Sequence, residues 1–211
     1  MHCADCFFQS GRSYLEPLAE NLPHIPTAEM AVGRVVRMND GNDSNNQRDL
    51  VERTASQYDD YFFNTSNPKD IGNFPGPVVL TINPGKITDT DFWEFPLPPA
   101  NLMFVRFRAN TWNVELLKEA VDSYTTKYIP LVITFMAYYK TPIPAAHKKN
   151  YEWRQRTLNS YWCIKKKAQK RIADIFPDNP LVHVCGGLCK DCGNCLREYY
   201  RVKEFLRDKQ P

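Results

Sequence analysis

"NLMFVRFRANTWNVELLKEAVDSYTTKYIPLVITFMAYYK", residues 101–140, contains an apolar run, a polar turn, an amphipathic segment and a second apolar run. In the amphipathic segment, residues 113–128, Val114, Leu117, Ala120, Val121 and Tyr124 recur at helical spacing, and Asn113 stands where a cap belongs. Residues 101–110 and 129–139 are apolar almost throughout, the pattern of strands buried on both faces. Strand, helix and strand in that order predict parallel strands joined by a helical crossover.

The same alternation extends outward. "PVVLTINPG" (77–85) reads as a strand stopped by Pro-Gly, and the Pro-rich "DFWEFPLPP" (91–99) as an extended connection. "MAVGRVVRM" (30–38) reads as a strand, and "NDGNDSNNQ" (39–47) as an exposed loop of turn-forming residues. From Arg48 to Phe63, Leu50, Val51, Ala55, Tyr58 and Phe62 predict a helix, with Asn45 or Asn46 as its cap. Residues 7–22 are compatible with a short helix interrupted at Pro17. Residues 150–176 read as a long basic helix ended by Pro177, and "PLVHV" (180–184) as a strand that runs directly into Cys185. The expected class is α/β: one domain over residues 1–211 with a parallel sheet, arranged as a full or partial (β/α) TIM-like barrel. In such folds the functional groups collect at the C-terminal edge of the strands.

With 43% hydrophobic and 24% charged residues, the composition is that of a globular protein. A net charge of +3 is too small to announce a nucleic-acid partner by itself. No apolar run reaches the ~18–20 residues of a membrane span, and residues 1–20 lack a signal-peptide pattern. The expectation is therefore a cytoplasmic chain without membrane partners. In a reducing compartment, close cysteine spacing points to a metal or cluster rather than to disulfides.

Six of the seven cysteines lie near the ends of the chain. "VCGGLCKDCGNC" (184–195) places Cys185, Cys189, Cys192 and Cys195 at C-x3-C-x2-C-x2-C spacing. Structural zinc sites usually take two pairs separated by a longer loop, whereas an iron–sulfur cubane accepts thiolates from a compact run. Gly186, Gly187 and Gly193 let the backbone bend around such a core. A [4Fe–4S] cluster is the first expectation and zinc the alternative. "HCADCF" (2–7) adds Cys3 and Cys6, which join the same site if the first and last strands of the sheet become neighbours. The seventh, Cys163 in "SYWCIKKK", reads as a buried small hydrophobe on the basic helix.

"CADCFF" (3–8) resembles the last two cysteines and following aromatics of the C-x3-C-x2-C motif of radical S-adenosylmethionine enzymes. Residues 105–140 also resemble phage-encoded proteins distantly related to those enzymes, which carry a cysteine-rich tail. The resemblance implies a full or partial (β/α) barrel and a [4Fe–4S] cluster whose open iron binds S-adenosylmethionine. The first cysteine of that motif would fall before Met1, and four thiolates from the tail would leave no iron open. The tail is thus expected to supply most ligands, in an electron-transfer protein or a degenerate relative of radical enzymes.

Arg106 and Arg108 share one face of an otherwise apolar strand and are candidates for binding an anionic cofactor or small molecule. Thr134, Tyr138, Tyr139 and Lys140, at the end of the next strand, are secondary candidates. His183, two residues before Cys185, can bond a cluster sulfur, ligate a metal or serve in the core. The basic residues of 148–171, interleaved with Tyr151, Trp153, Tyr161 and Trp162, make nucleic acid a possible partner beside a redox partner or small molecule.

Overall fold

The computed structural model describes residues 18–39, 42–69, 71–83, 97–139, 141–155, 160–186 and 189–208. Cys3, Cys6, Lys140, most of the Pro-rich connection and the start of the helix expected over 7–22 lie outside the described residues. Of that helix, α1 (Leu18–Asn21) is described.

Six parallel strands follow one another in space: β1 (Val36–Arg37), β2 (Tyr61–Thr65), β3 (Val78–Ile82), β4 (Leu102–Ala109), β5 (Leu131–Phe135) and β9 (Val182–Val184). Every pairing is parallel, so successive connections must carry the chain back across the sheet. Among the described residues β1 and β9 stand at its two ends. The parallel α/β architecture read from residues 101–140 is therefore present, with α4 (Val114–Thr125) as the crossover.

One face of the sheet carries Phe63, Leu80, Ile82, Phe107 and Ile133 in the larger core cluster. That cluster also takes in Val51 and Ala55 of α3 (Arg48–Ala55), Leu117, Val121 and Tyr124 of α4, and Ala168 and Ile172 of α5 (Lys166–Ala173). Fully burying side chains of this size stabilises by roughly 1.5–3 kcal/mol each, which is why the strands read as continuous apolar runs. On the other face, Phe62, Val79, Met103, Phe104 and Val132 pack under Tyr199 and Val202 of α7 (Asn194–Arg207). Arg201 Nη2 donates to the Met103 carbonyl at 2.9 Å and fastens that helix to β4. No helix among the described residues is long and apolar enough to cross a membrane.

The structure corrects several local expectations. The helix expected over 48–63 stops at Ala55, and β2 begins at Tyr61. Phe62 and Phe63 belong to clusters on opposite sheet faces, an alternation of period two that overrides the helical spacing. The N-cap is Gln47, in a left-handed conformation (φ 58°), rather than Asn45 or Asn46. Residues 28–31 form α2 (Ala28–Ala31), with Thr27 Oγ1 accepting from the Met30 N–H, so the strand expected over 30–38 shrinks to β1. The polar loop is not simply exposed: Ser44 is fully buried, and Asp43 accepts from Asn45, Thr65 and Ser66.

The largest correction concerns residues 150–176. A 3-10 segment (Ala145–Asn150) leads into β7 (Tyr151–Arg154) and β8 (Tyr161–Ile164), and only then does α5 begin. With β6 (Ala137–Tyr138) these strands form an antiparallel sheet in the order β6-β8-β7. Aromatic and β-branched side chains fit a pleated, half-buried surface better than a helix, and here they outweighed the helical spacing. Cys163 accordingly lies on β8, partly exposed, with its thiol 3.5 Å from Glu152 Oε1.

Candidate functional site

Strand register assembles the candidate groups. Thr81 is opposite Arg106, Arg106 opposite Val132, and Val132 opposite His183, so one row crosses β3, β4, β5 and β9. Side chains two apart share a face, which puts Arg108 and Thr134 in the next row toward the C-terminal edge. Cys185 continues that row beyond β9, its N–H donating to the Ile133 carbonyl at 2.9 Å. It packs against the cluster that contains Val132, on the face covered by α7. The lower half of this face is apolar and covered, while the half toward the C-terminal edge carries Asn64, Thr81, Arg106, Arg108 and Thr134.

Arg106 is only 7% exposed, and its guanidinium donates to Asn64 Oδ1 (3.3 Å) and Thr81 Oγ1 (3.4 Å). Asn64 Nδ2 donates to the Met38 carbonyl at 2.8 Å, which turns its oxygen toward the arginine. Asn83, at the end of β3, is also buried, and its Oδ1 has no hydrogen-bond partner among the described residues. An acceptor left this way costs roughly 1–3 kcal/mol unless a ligand or water supplies a donor. Asn64, Thr81 and Asn83 escaped the sequence reading; their signal is a polar residue interrupting the apolar runs "YFFNT" and "VVLTIN".

Beyond Cys185 the chain enters α6 (Cys189–Cys192), reverses at Gly193 with φ 64° and begins α7. A positive φ at that reversal is open to glycine without the steric cost of a Cβ. Before that turn, α6 has already returned Cys192 to the last strand, with His183 Nε2 3.0 Å from its Sγ. Burial is the main cause holding the His183 imidazole below its ordinary pKa, followed by Arg197, with Glu198 opposing. A neutral imidazole beside a thiol is a donor pair that transition metals accept. Cys195, on the first turn of α7, packs with Cys185 against the second core cluster. Among the described residues no three His, Cys, Asp or Glu side chains converge in metal-holding geometry. The side chain of Cys189, like Cys3 and Cys6, lies outside what is described. The donor pair therefore fits half of a four-ligand site.

No family model, curated protein or solved structure matches the chain.

Proposed function

We propose that this protein binds an iron–sulfur cluster, [4Fe–4S], through Cys185, Cys189, Cys192 and Cys195, with Cys3 and Cys6 as further ligands. The parallel sheet is read as a partial (β/α) barrel forming one cytoplasmic domain, with the cysteine loop at its C-terminal edge. Support comes from one observation above all: the chain after β9 folds back so that Cys192 returns to His183 on the last strand, while Cys185 and Cys195 pack against one core cluster. The role is electron transfer with a redox partner, or that of a degenerate relative of radical S-adenosylmethionine enzymes. Arg106 and Arg108, side by side on the strand face toward the C-terminal edge, would take an anionic small molecule. S-adenosylmethionine itself requires an open iron, hence only three protein ligands.

The His183–Cys192 pair favours a second reading, since mixed imidazole and thiolate sets are typical of structural zinc. In that case the protein is a zinc-stabilised module that binds nucleic acid. Anaerobic purification followed by iron, sulfide and zinc analysis separates the two. Iron and sulfide in equal amounts with a broad visible absorption band support the cluster. Zinc alone, with no iron retained after anaerobic reconstitution, overturns it.

A further inference from the structure

The antiparallel sheet grows from the C-terminal end of β5 and returns through α5 to β9, so it stands at the same edge as the cysteine loop. Register places Tyr138 opposite Trp162 and Trp162 opposite Trp153, an aromatic row across all three strands. Trp112, from the turn after β4, packs on Tyr138 with ring centroids 5.2 Å apart and on Tyr151 at 5.7 Å. Tyr138 and Tyr151 are buried and belong to the core, but Trp153 on edge strand β7 is 49% exposed and Trp112 36%. The core does not account for two indoles left facing solvent on one surface.

Charge marks the same segment. Residues 145–173 carry nine Lys and Arg against one acid, Glu152, a formal charge of +8. The whole chain carries +3, so the remaining residues sum to −5. The one acid lies off the aromatic face: Glu152 is out of phase with Trp153 along β7 and pairs with Arg154 at 2.8 Å. On the aromatic face, Lys148 Nζ lies 5.6 Å from the centre of the Trp162 ring. A cation thus stands against a ring face on this surface, within a strongly basic segment, the combination that tracks a phosphate backbone while stacking its bases.

We propose that this face binds single-stranded nucleic acid, with bases stacking on Trp153 and Trp112 and phosphates meeting Lys148 and Lys149. Duplexes are disfavoured, because paired bases do not present their faces for stacking. DNA and RNA share the recognised chemistry. The inference stands whether the cysteine loop holds iron, zinc or neither.

The test is fluorescence anisotropy of the full chain with labelled oligo(dT) and oligo(U) of roughly twelve nucleotides, and with a duplex of the same length. Single strands should bind more tightly than the duplex, and whichever single strand binds better identifies the natural sugar. Trp153→Ala should weaken binding at least about fivefold, whereas Trp153→Phe, which keeps a stacking ring, should stay within about twofold. Lys148→Ala with Lys149→Ala should weaken binding and flatten its salt dependence. Circular dichroism confirms that each variant is folded, and Trp153→Phe separates stacking from a packing defect. The proposal is overturned if the duplex binds as well as the single strands, or if Trp153→Ala binds like the parent. Binding to phosphatidylserine vesicles without binding to either oligonucleotide overturns it in favour of a membrane surface.

Discussion

The Tyr199 hydroxyl donates a 2.6 Å hydrogen bond to Asp60 Oδ1 across 139 residues of chain, fastening α7 to the turn before β2. Lys203, one helical turn further on, pairs with the same oxygen. Burial, and then Asp60 itself, raises the Tyr199 phenol, so it stays a protonated donor. Tyr199→Phe keeps the packing and removes only the hydroxyl, so it should cost about 1–3 kcal/mol in urea unfolding for a hydrogen bond to a charged acceptor.

The same contact predicts a pH dependence. Hydrogen bonds from Lys203 and then Tyr199 hold the Asp60 carboxyl below its ordinary value of 3.8, against a smaller opposing effect of burial. A depressed folded-state pKa contributes stability that is present above the ordinary value and lost as pH falls through the folded one. Thermal unfolding of the parent and of Asp60→Asn should therefore differ most at neutral pH and converge below about pH 4. A difference that persists unchanged at pH 2 contradicts this.

Asp43 organises the polar loop. Its Oδ1 accepts from the Asn45 N–H and the Thr65 hydroxyl, both at 2.9 Å, and its Oδ2 from the Ser66 N–H at 2.7 Å and the Ser66 hydroxyl at 2.8 Å. Asp43→Ala strips the acceptor from these four donors and from Asn45 Nδ2, 3.2 Å from Oδ1, and should cost about 2–4 kcal/mol, more than an ordinary loop substitution. Chemical denaturation checks this, and a loss under about 0.5 kcal/mol would mean that the loop is held by other contacts.

Tyr128 closes the turn after α4, its N–H donating to the Thr125 carbonyl at 3.0 Å, in a left-handed conformation (φ 57°), and is 85% exposed. Its ring contributes little burial, while its Cβ makes that conformation costly. Tyr128→Gly should stabilise by up to about 1 kcal/mol, read as a rise in melting temperature, whereas Tyr128→Val should lower it.

At the cysteine loop, Cys189→Ala and Cys192→Ala should each abolish the metal or cluster signal, and Cys163→Ala on β8 should leave it intact. His183→Ala should weaken retention against a chelator about 10–100-fold if the imidazole orients Cys192, a readout that global stability does not mimic. Equal loss in the Cys163→Ala variant would move the ligand set away from the loop.

The parallel α/β class was legible because β3, β4 and β5 are buried on both faces, and only near-continuous apolar runs satisfy that environment. Helix α4 was legible because Val114, Leu117, Val121 and Tyr124 follow its period against a single sheet face. Failures came where two periods competed. Phe62 completes a helical stripe with Tyr58 in the sequence, yet its strand neighbours decide its fate, since pairing with β1 and β3 satisfies the β2 backbone. Tyr151 and Trp162 likewise fit one helix face on paper, and only the strand pairing set Trp162 opposite Trp153, with ring centroids 5.3 Å apart, on a sheet.

The amino-acid sequence settled the cysteine spacing, the position of Cys185 directly after a strand and the shared face of Arg106 and Arg108, because each follows from short-range periodicity. The row Thr81–Arg106–Val132–His183, the return of Cys192 to His183 and the burial of Asn64 and Asn83 needed the tertiary structure. Those relationships depend on strand register and on how the chain after β9 folds back on it, and neither local spacing nor composition encodes how such segments align.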